Sequence, residues 1–198
     1  MCWINSDDIL MPGALRMVGS IFANLKDVEW INSLPTTITP DNFINYVALK
    51  PWYVRSFLQR GWYIRKLLGF VMQEGTFWRR SLWEKAGGYI KDVPYSMDWE
   101  LWKRFAQHSD LVLVNAVLAA YRLNPERKNN DEHKNYYQEI GMDYPDLISL
   151  PIKYAWRKTA NIAHALQIPK LISYDESSSS WYFRRSRGQI SCFKLLGQ

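Results

Sequence analysis

The chain has 198 residues, of which 47% are hydrophobic and 22% are charged, enough apolar material for one domain with one core. This balance excludes a disordered chain, and no apolar run is long enough to span a bilayer. Two cysteines, Cys2 and Cys192, exclude a disulfide framework and a CxxC metal motif, while the net charge of +6 favours anionic partners.

The first part of the chain predicts strand, acidic turn, helix and strand again. The opening letters MCWIN are short and apolar and predict the end of a buried strand. They lead into NSDDILMPGAL at residues 5–15, where Pro12 suits a first helical turn because its missing N–H costs nothing there. VEWINSLPTTI at residues 28–38 predicts strand and loop. The helix ends near Lys26, and its predicted apolar face consists of Leu15, Val18, Phe22 and Leu25.

Two short helices are predicted in the middle of the chain. SLWE at residues 81–84 has the spacing of a capping box, and Gly87 and Gly88 provide the stop. DWELWKRFAQH at residues 98–108 predicts a second helix with Asp98 at its N-terminus. Its apolar face consists of Leu101, Trp102 and Phe105. The aromatic-rich residues 41–63 fit either short helices or the lining of a cleft.

The remainder predicts a buried strand, a helical region and a tail. DLVLVNAVLAAYRL at residues 110–123 is typical of a buried strand, and residues 129–167 have a helical pattern with a polar face. The Ser- and Arg-rich letters DESSSSWYFRRSRGQ at residues 175–189 predict a mobile tail. Strands that alternate with helices favour an α/β layer fold.

The adjacent acids Asp7 and Asp8 have two interpretations. Beyond the end of a strand they are placed to bind Mg²⁺ or Mn²⁺, which prefer carboxylate oxygens and often take only one or two from the protein. The simpler interpretation is that one of them caps the helix at Pro12, or that both are solvated loop charges.

Asp98 also has a functional and a structural interpretation. An aspartate in the first helical turn usually complements the helix dipole, but it could also be the general base that deprotonates an acceptor hydroxyl. Four aromatic residues near Asp98 in the sequence are of types that usually lie in a hydrophobic core, although such rings also cover the apolar face of a sugar. These rings belong to Phe77, Trp78, Trp99 and Trp102.

Three segments in this order resemble the family 2 glycosyltransferases, which are inverting, nucleotide-sugar-dependent enzymes of the GT-A fold. NSDDILMPGAL resembles the acidic metal-binding motif of that family, and QEGTFWRRSLWEKAGGY at residues 73–89 resembles its acceptor-side segment. SMDWELWKRFA at residues 96–106 resembles the segment that carries the catalytic base, and VLAAYR at residues 117–122 fits the order. The resemblance covers residues 5–122.

The resemblance implies a role for each matching position. Asp8 would bind Mg²⁺ or Mn²⁺ on the donor diphosphate, and Asp7 would hold the nucleotide ribose or the water shell of the metal. Asp98 would be the catalytic base. The acceptor side would be lined by Gln73, Trp78 and Trp99.

The resemblance also implies a fold class and a domain division. We expect a GT-A-like mixed sheet flanked by helices, without the N-terminal β-α-β part that binds the nucleotide. Residues 1–125 would form the second half of the catalytic domain, residues 126–172 a helical extension, and residues 173–198 the Ser/Arg-rich tail. The chain would then be a truncated product, a fragment or one piece of a split protein.

The expected partners are a nucleotide-sugar donor and a saccharide or lipid-linked acceptor, with no nucleic acid. The cysteine count and the acids at positions 7 and 8 predict a cytoplasmic protein without a signal peptide. The tail is either a disordered basic segment or a peripheral contact with the inner face of the membrane. The alternative to an enzyme is a non-catalytic remnant that acts as an interaction module.

Overall fold

Within the residues that the computed structural model describes (1–48, 52–64, 67–123, 130–141, 151, 154–155, 158–159 and 170–185), nine strands form two mixed sheets. The strands are β1 (Ile9–Leu10), β2 (Trp30–Asn32), β3 (Thr36–Ile38), β4 (Ile44–Val47), β5 (Thr76–Trp78), β6 (Leu111–Val114), β7 (Ala119–Arg122), β8 (Lys170–Asp175) and β9 (Ser180–Arg185). The helices with defined bounds are α1 (Ala14–Asn24), α2 (Arg55–Gln59), α3 (Arg80–Lys85), α4 (Met97–His108) and α5 (Asn130–Glu139).

The larger sheet has the strand order β5-β2-β6-β8-β9, with parallel pairs in its middle and antiparallel pairs at both edges. The smaller sheet has the order β1-β7-β3-β4, and only its central β3–β7 pair is parallel. The predicted α/β class with a mixed sheet and flanking helices is therefore confirmed.

The core of the larger sheet is a cluster of aromatic rings between β2, β5 and α4. Trp102 and Phe105 of α4 are buried against Trp30 and Trp78, and ring centroids across this cluster lie 5.4–5.8 Å apart. This packing confirms the predicted apolar face of α4, which also includes the buried Leu101. Rings at these separations gain contact energy beyond the burial of their area.

The predicted apolar face of the first helix was partly wrong. α1 begins at Ala14, after Gly13 adopts φ of 79°, so Pro12 lies in the preceding turn rather than in the helix. Leu15 is 62% exposed, because the buried stripe runs instead through Ala14, Val18 and Ile21. Phe22 and Leu25 pack at the margin of the same cluster, as expected from their spacing.

The capping box predicted for the third helix was also wrong, although the helix exists. α3 begins at Arg80, one residue before Ser81, and no side chain caps its N-terminus. Arg79 instead extends across to the end of α1, where its guanidinium donates to the carbonyls of Phe22, Leu25 and Val28. The predicted glycine stop is confirmed, since Gly87 and Gly88 have positive φ.

Three further segments differ from their predictions. MCWIN contributes one antiparallel bridge, between Cys2 and Phe77, rather than a full strand. The long strand predicted at residues 110–123 is two strands, because the chain crosses from the larger sheet at β6 to the smaller sheet at β7. Within residues 41–63, the structure contains β4 and α2.

The predicted mobile tail begins as an ordered hairpin of β8 and β9. The serines form its turn, because the carboxylate of Asp175 accepts hydrogen bonds from the Ser177 backbone and from the hydroxyls of Ser177 and Ser178. β8 pairs with β6 and spans the predicted boundary at residue 172, which ties the hairpin to the larger sheet. Residues 175–185 thus belong to a paired hairpin, and residues 186–198 lie outside the described ranges.

Much of the predicted helical region at residues 129–167 also lies outside the described residues, but α5 occupies its beginning. None of the helices in the described ranges combines the length and apolarity that crossing a bilayer requires.

Candidate functional site

The acidic pair lies in a turn that precedes β1, not after a regular strand. β1 pairs with β7, and this pairing brings the end of β7 against Asp8, which is only 8% exposed. One carboxylate oxygen of Asp8 accepts the backbone N–H of Arg122 at 2.8 Å, and the other accepts the side-chain amide of Asn5 at 3.2 Å. Asp7 is partly exposed. Asp8 is therefore held in a fixed orientation.

Arg122 fixes the acidic turn with its guanidinium as well as with its backbone. The guanidinium donates to the carbonyls of Asp7 at 2.7 Å, Pro40 at 2.9 Å and Thr39 at 3.4 Å. These bonds join the acidic turn to the loop that follows β3. The arginine belongs to the VLAAYR segment. Its contacts explain in structural terms why this segment occurs together with the acidic motif.

A third carboxyl group, Glu74, lies between the two predicted acidic sites. Glu74 is 6% exposed, and Oε2 receives no hydrogen bond from any residue that the structure describes. Burial, followed by the nearby charges of Asp8 and Asp98, raises the pKa of Glu74 to about 8. Glu74 is thus close enough to interact with the predicted metal ligand and with the predicted base.

The side chains of Glu74 and Asp8 are close enough to hydrogen-bond. Two carboxyl groups do so only if one of them is protonated, and a pKa of about 8 keeps Glu74 protonated at neutral pH. Burial also raises the pKa of Asp8, while the Arg122 N–H acts in the opposite direction. The site therefore places a neutral, proton-donating Glu74 beside Asp8.

Asp98 lies in the first turn of α4, as the sequence predicted. Its carboxylate accepts the N–H of the next residue, Trp99, at 2.7 Å. Burial raises the pKa of Asp98 to about 6, and this N–H opposes the shift. A carboxyl group with this pKa is ionised at neutral pH and retains more basicity than an exposed aspartate, which suits a general base.

Helix α5 covers the N-terminus of α4 next to Asp98. The carboxylate of Glu139 accepts the Tyr95 N–H at 3.2 and 3.3 Å and also a short hydrogen bond from the Ser96 hydroxyl. The charge of Asp98 also contributes to a raised pKa of the buried Tyr136 phenol. Asp98 thus lies beneath a helix from a distant part of the chain, and sequence periodicity does not reveal this contact.

The three predicted acceptor-side residues have different surroundings. Gln73 is partly exposed beside the acidic turn, and its amide donates to the Trp3 carbonyl at 3.3 Å and to Asn5 Oδ1 at 3.5 Å. Trp78 is 2% exposed and its ring packs in the aromatic core, a position that favours a structural role. Its predicted role, like those of the other two residues, stays a prediction.

Trp99 is partly exposed and rigidly held beside Asp98. Its indole N–H donates to the Gly61 carbonyl at 2.9 Å, and the Lys103 ammonium lies 4.3 Å from its ring centroid. A side chain at Gly61 would place Cβ only 2.4 Å from the Trp99 ring, and Gly61 has φ of 69°. The glycine is therefore required for this ring to lie against the loop.

The residues around Asp8 fit a metal that is shared with a substrate. Within the described part of the chain, no group of three His, Cys, Asp or Glu side chains is placed to hold a metal ion. Magnesium and manganese need no such group when phosphate oxygens and water complete their coordination. Asp8 supplies an oriented carboxylate for that purpose, and the buried carboxyl groups around it are an environment that a cation would stabilise.

Comparison with models of known protein families finds no match to this chain, and comparison with curated proteins finds none either. Sequence reasoning did not single out Glu74, although it stands next to Gln73 in the QEG letters of a quoted segment. An isolated glutamate in a loop carries no signal of burial, so only the fold identifies it.

Proposed function

We propose that this chain works as an inverting, metal-dependent glycosyltransferase of family 2, with Asp8 on the donor side and Asp98 on the acceptor side. The observation that carries the proposal is that the charges of Asp8 and Asp98 both contribute to the raised pKa of the buried Glu74. These acids come from separate motifs, and the motif resemblance predicted one as metal ligand and the other as base. Acidic side chains without a function usually lie in solvent, and they are not expected to gather at one desolvated site.

The proposed reaction needs one base on the acceptor face. The acceptor hydroxyl attacks the anomeric carbon of the donor sugar, and Asp98 takes the proton of that hydroxyl as the new C–O bond forms. The bond from the anomeric carbon to the diphosphate breaks, and its electron pair leaves with the nucleoside diphosphate. Attack opposite the leaving group inverts the anomeric centre.

The departing diphosphate needs stabilisation of its negative charge. A bound divalent cation supplies that stabilisation as a Lewis acid. Asp8 would hold the cation, and the partly exposed Asp7 would contact the ribose or a water ligand. Glu74 would contribute a neutral hydrogen-bond donor to Asp8 rather than a further negative charge.

The proposed acceptor is a saccharide or a lipid-linked saccharide. Trp99 presents a partly exposed ring in the residue after Asp98, where it could cover the apolar face of a sugar. Gln73 presents a partly exposed amide beside the acidic turn.

Calorimetric titration with UDP and with GDP tests this proposal. We expect heat of binding in the presence of Mn²⁺ and none in the presence of EDTA, because Asp8 would hold the cation that stabilises the charge of the diphosphate. Asp98→Asn should bind the nucleotide as tightly as the unchanged chain, since Asp98 belongs to the acceptor side. The absence of metal-dependent binding for either nucleotide would favour the interaction module over the enzyme.

A further inference from the structure

The β8–β9 hairpin exposes a row of aromatic rings at the edge of the larger sheet. In its register Tyr174 pairs with Trp181 and Ile172 pairs with Phe183, so these side chains share one face of the hairpin. The rings of Tyr174 and Trp181 are in contact at 5.0 Å, while Tyr174 is 47% and Phe183 is 45% exposed. We name Tyr174, Trp181 and Phe183 the hairpin aromatic face.

This face is firmly attached to the protein. Ile172, which lies on the same face, is fully buried in the hydrophobic cluster that also includes residues of α1. The indole N–H of Trp181 donates to the Ser20 hydroxyl of α1 at 3.1 Å. The rings therefore stand on a folded support, and binding to them would cost less ordering than binding to a disordered tail.

An exposed cation of α1 lies beside the hairpin aromatic face. Arg16 lies one helical turn before Ser20, on the flank of α1 that contacts Trp181. Arg184 follows Phe183 on β9 and is also exposed, but its side chain lies on the other face of the hairpin, because side chains alternate along a strand. The sequence after Glu176 contains no acid, and it includes the further cations Arg185, Arg187 and Lys194. At the turn, Glu176 is exposed, whereas hydrogen bonds from the serines occupy the Asp175 carboxylate.

We propose that the hairpin aromatic face, together with the neighbouring Arg16, binds the surface of an anionic lipid bilayer. Trp and Tyr favour the headgroup region, since each has an apolar body and a polar tip. The neighbouring cation complements anionic headgroups and would orient the face toward them. This proposal concerns a surface away from the carboxyl site and does not rest on the proposed reaction.

A second exposed apolar strand provides a matched comparison within the same chain. β4 and the residue before it expose Phe43 by 72%, Ile44 by 62% and Tyr46 by 50%. No Lys or Arg occurs at residues 39–48, while Asp41 does. If exposed apolar area alone caused lipid binding, β4 would contribute at least as much as the hairpin.

Sedimentation with lipid vesicles tests the proposal on the full chain. The vesicles would contain phosphatidylcholine alone or phosphatidylcholine with phosphatidylserine. We expect binding to the anionic vesicles only, and weaker binding at high salt because exposed charges are screened. Arg16→Gln should weaken binding about fivefold, the effect of one cation near an anionic surface. Tyr174→Ser with Phe183→Ser should weaken it further, while Phe43→Ser with Tyr46→Ser on β4 should not.

Several outcomes would overturn the proposal. Equal binding to neutral vesicles, or an equal loss with the β4 variants, would show non-specific apolar adsorption. Displacement from vesicles by single-stranded RNA would assign the surface to nucleic acid, and self-association lost in the hairpin variants would assign it to a second copy. Circular dichroism of each variant would confirm that the fold is retained, so that lost binding reports on the surface.

Discussion

Asp8 and Asp98 interact with the same buried carboxyl group, Glu74, yet their surroundings differ. Donors from two other positions hold Asp8, namely the backbone of Arg122 and the amide of Asn5. Local backbone N–H groups, including that of Trp99, hold Asp98, and burial raises its pKa to about 6. A carboxylate fixed by donors from distant segments suits a cation, whereas a desolvated carboxyl group held by its own helical turn suits proton transfer.

The largest expected effect is loss of sugar transfer in Asp98→Asn. Removal of a general base typically lowers the rate by about 10²–10⁴-fold. Asparagine keeps an oxygen that can accept the Trp99 N–H, so the fold should be retained. In the unchanged chain the rate should fall as the pH decreases through about 6, because the base must be ionised. The measurement is transfer from a panel of nucleotide sugars across pH 5–8.

Glu100→Gln is the matched control for this variant. Glu100 lies in the same helical turn, but its carboxylate pairs with Arg104 at 2.9 Å rather than with the carboxyl site. We expect its transfer rate to stay close to that of the unchanged chain. Equal losses in both variants would mean that the N-terminus of α4, rather than the Asp98 carboxylate, is what transfer requires.

The next effect concerns Glu74, which links the two acids. Its ordinary pKa is 4.5, and burial raises it to about 8, so the folded state keeps a proton that the unfolded state loses between these values. Since the folded state binds more protons there, the free energy of unfolding falls as the pH rises. Glu74→Gln removes this dependence and should stabilise the chain at pH 8 by a few kcal/mol.

Urea unfolding at pH 6 and pH 8 measures the Glu74 effect, because Asp98, with a pKa of about 6, contributes little to the slope above pH 6. Glu84→Gln, on exposed α3, should keep the slope of the unchanged chain. If the Glu74→Gln variant retained that slope too, the pH dependence would not come from a proton on Glu74. Glu74 would then not be the buried acid that links Asp8 and Asp98.

A smaller effect should distinguish the role of Asp8 in nucleotide binding from that of its neighbour Asp7. Asp8→Asn removes a direct ligand and should weaken Mn²⁺-dependent nucleotide binding by roughly 100-fold. Loss of a partner outside the first coordination sphere costs about 10–100-fold, and Asp7→Asn should fall at the low end of that range. Calorimetric titration of both variants with UDP and Mn²⁺ gives the comparison. A larger loss for Asp7→Asn would reverse their assigned roles.

Much of this arrangement could be predicted from local sequence. The periodicity of Leu101, Trp102 and Phe105 predicted α4, and it placed Asp98 in the first turn, because both features depend on residues close together in the chain. The two sheets also contain most of the segments that β-branched and aromatic composition had indicated.

The remaining features depend on contacts between distant segments. The burial of Glu74 and the cover of α5 over Asp98 follow from tertiary packing, which periodicity does not encode. The serine-rich residues 177–180 have a composition typical of disorder, but their hydroxyls satisfy Asp175 in a tight turn. Composition indicated polarity there, and the pairing of β8 with β6 determined the structure.

The smallest expected effect tests whether α5 is part of the surroundings of Asp98. Glu139→Ala removes the acceptor of the Tyr95 N–H and the Ser96 hydroxyl, a loss similar to that of a helix cap and worth about 1 kcal/mol of stability. A loosened α5 would admit water to Asp98, so the pKa of that carboxyl should fall from about 6 toward its ordinary value of 3.8. The acidic limb of the pH profile of the transfer rate should then move to lower pH.

Two control variants sharpen this test. Glu139→Gln keeps one acceptor oxygen and should recover most of the stability and most of the raised pKa. Gln138→Ala, at an exposed position of α5, should change neither. A loss of stability without movement of the limb would mean that α5 supports the fold alone, and that burial by the rest of the chain sets the pKa of Asp98.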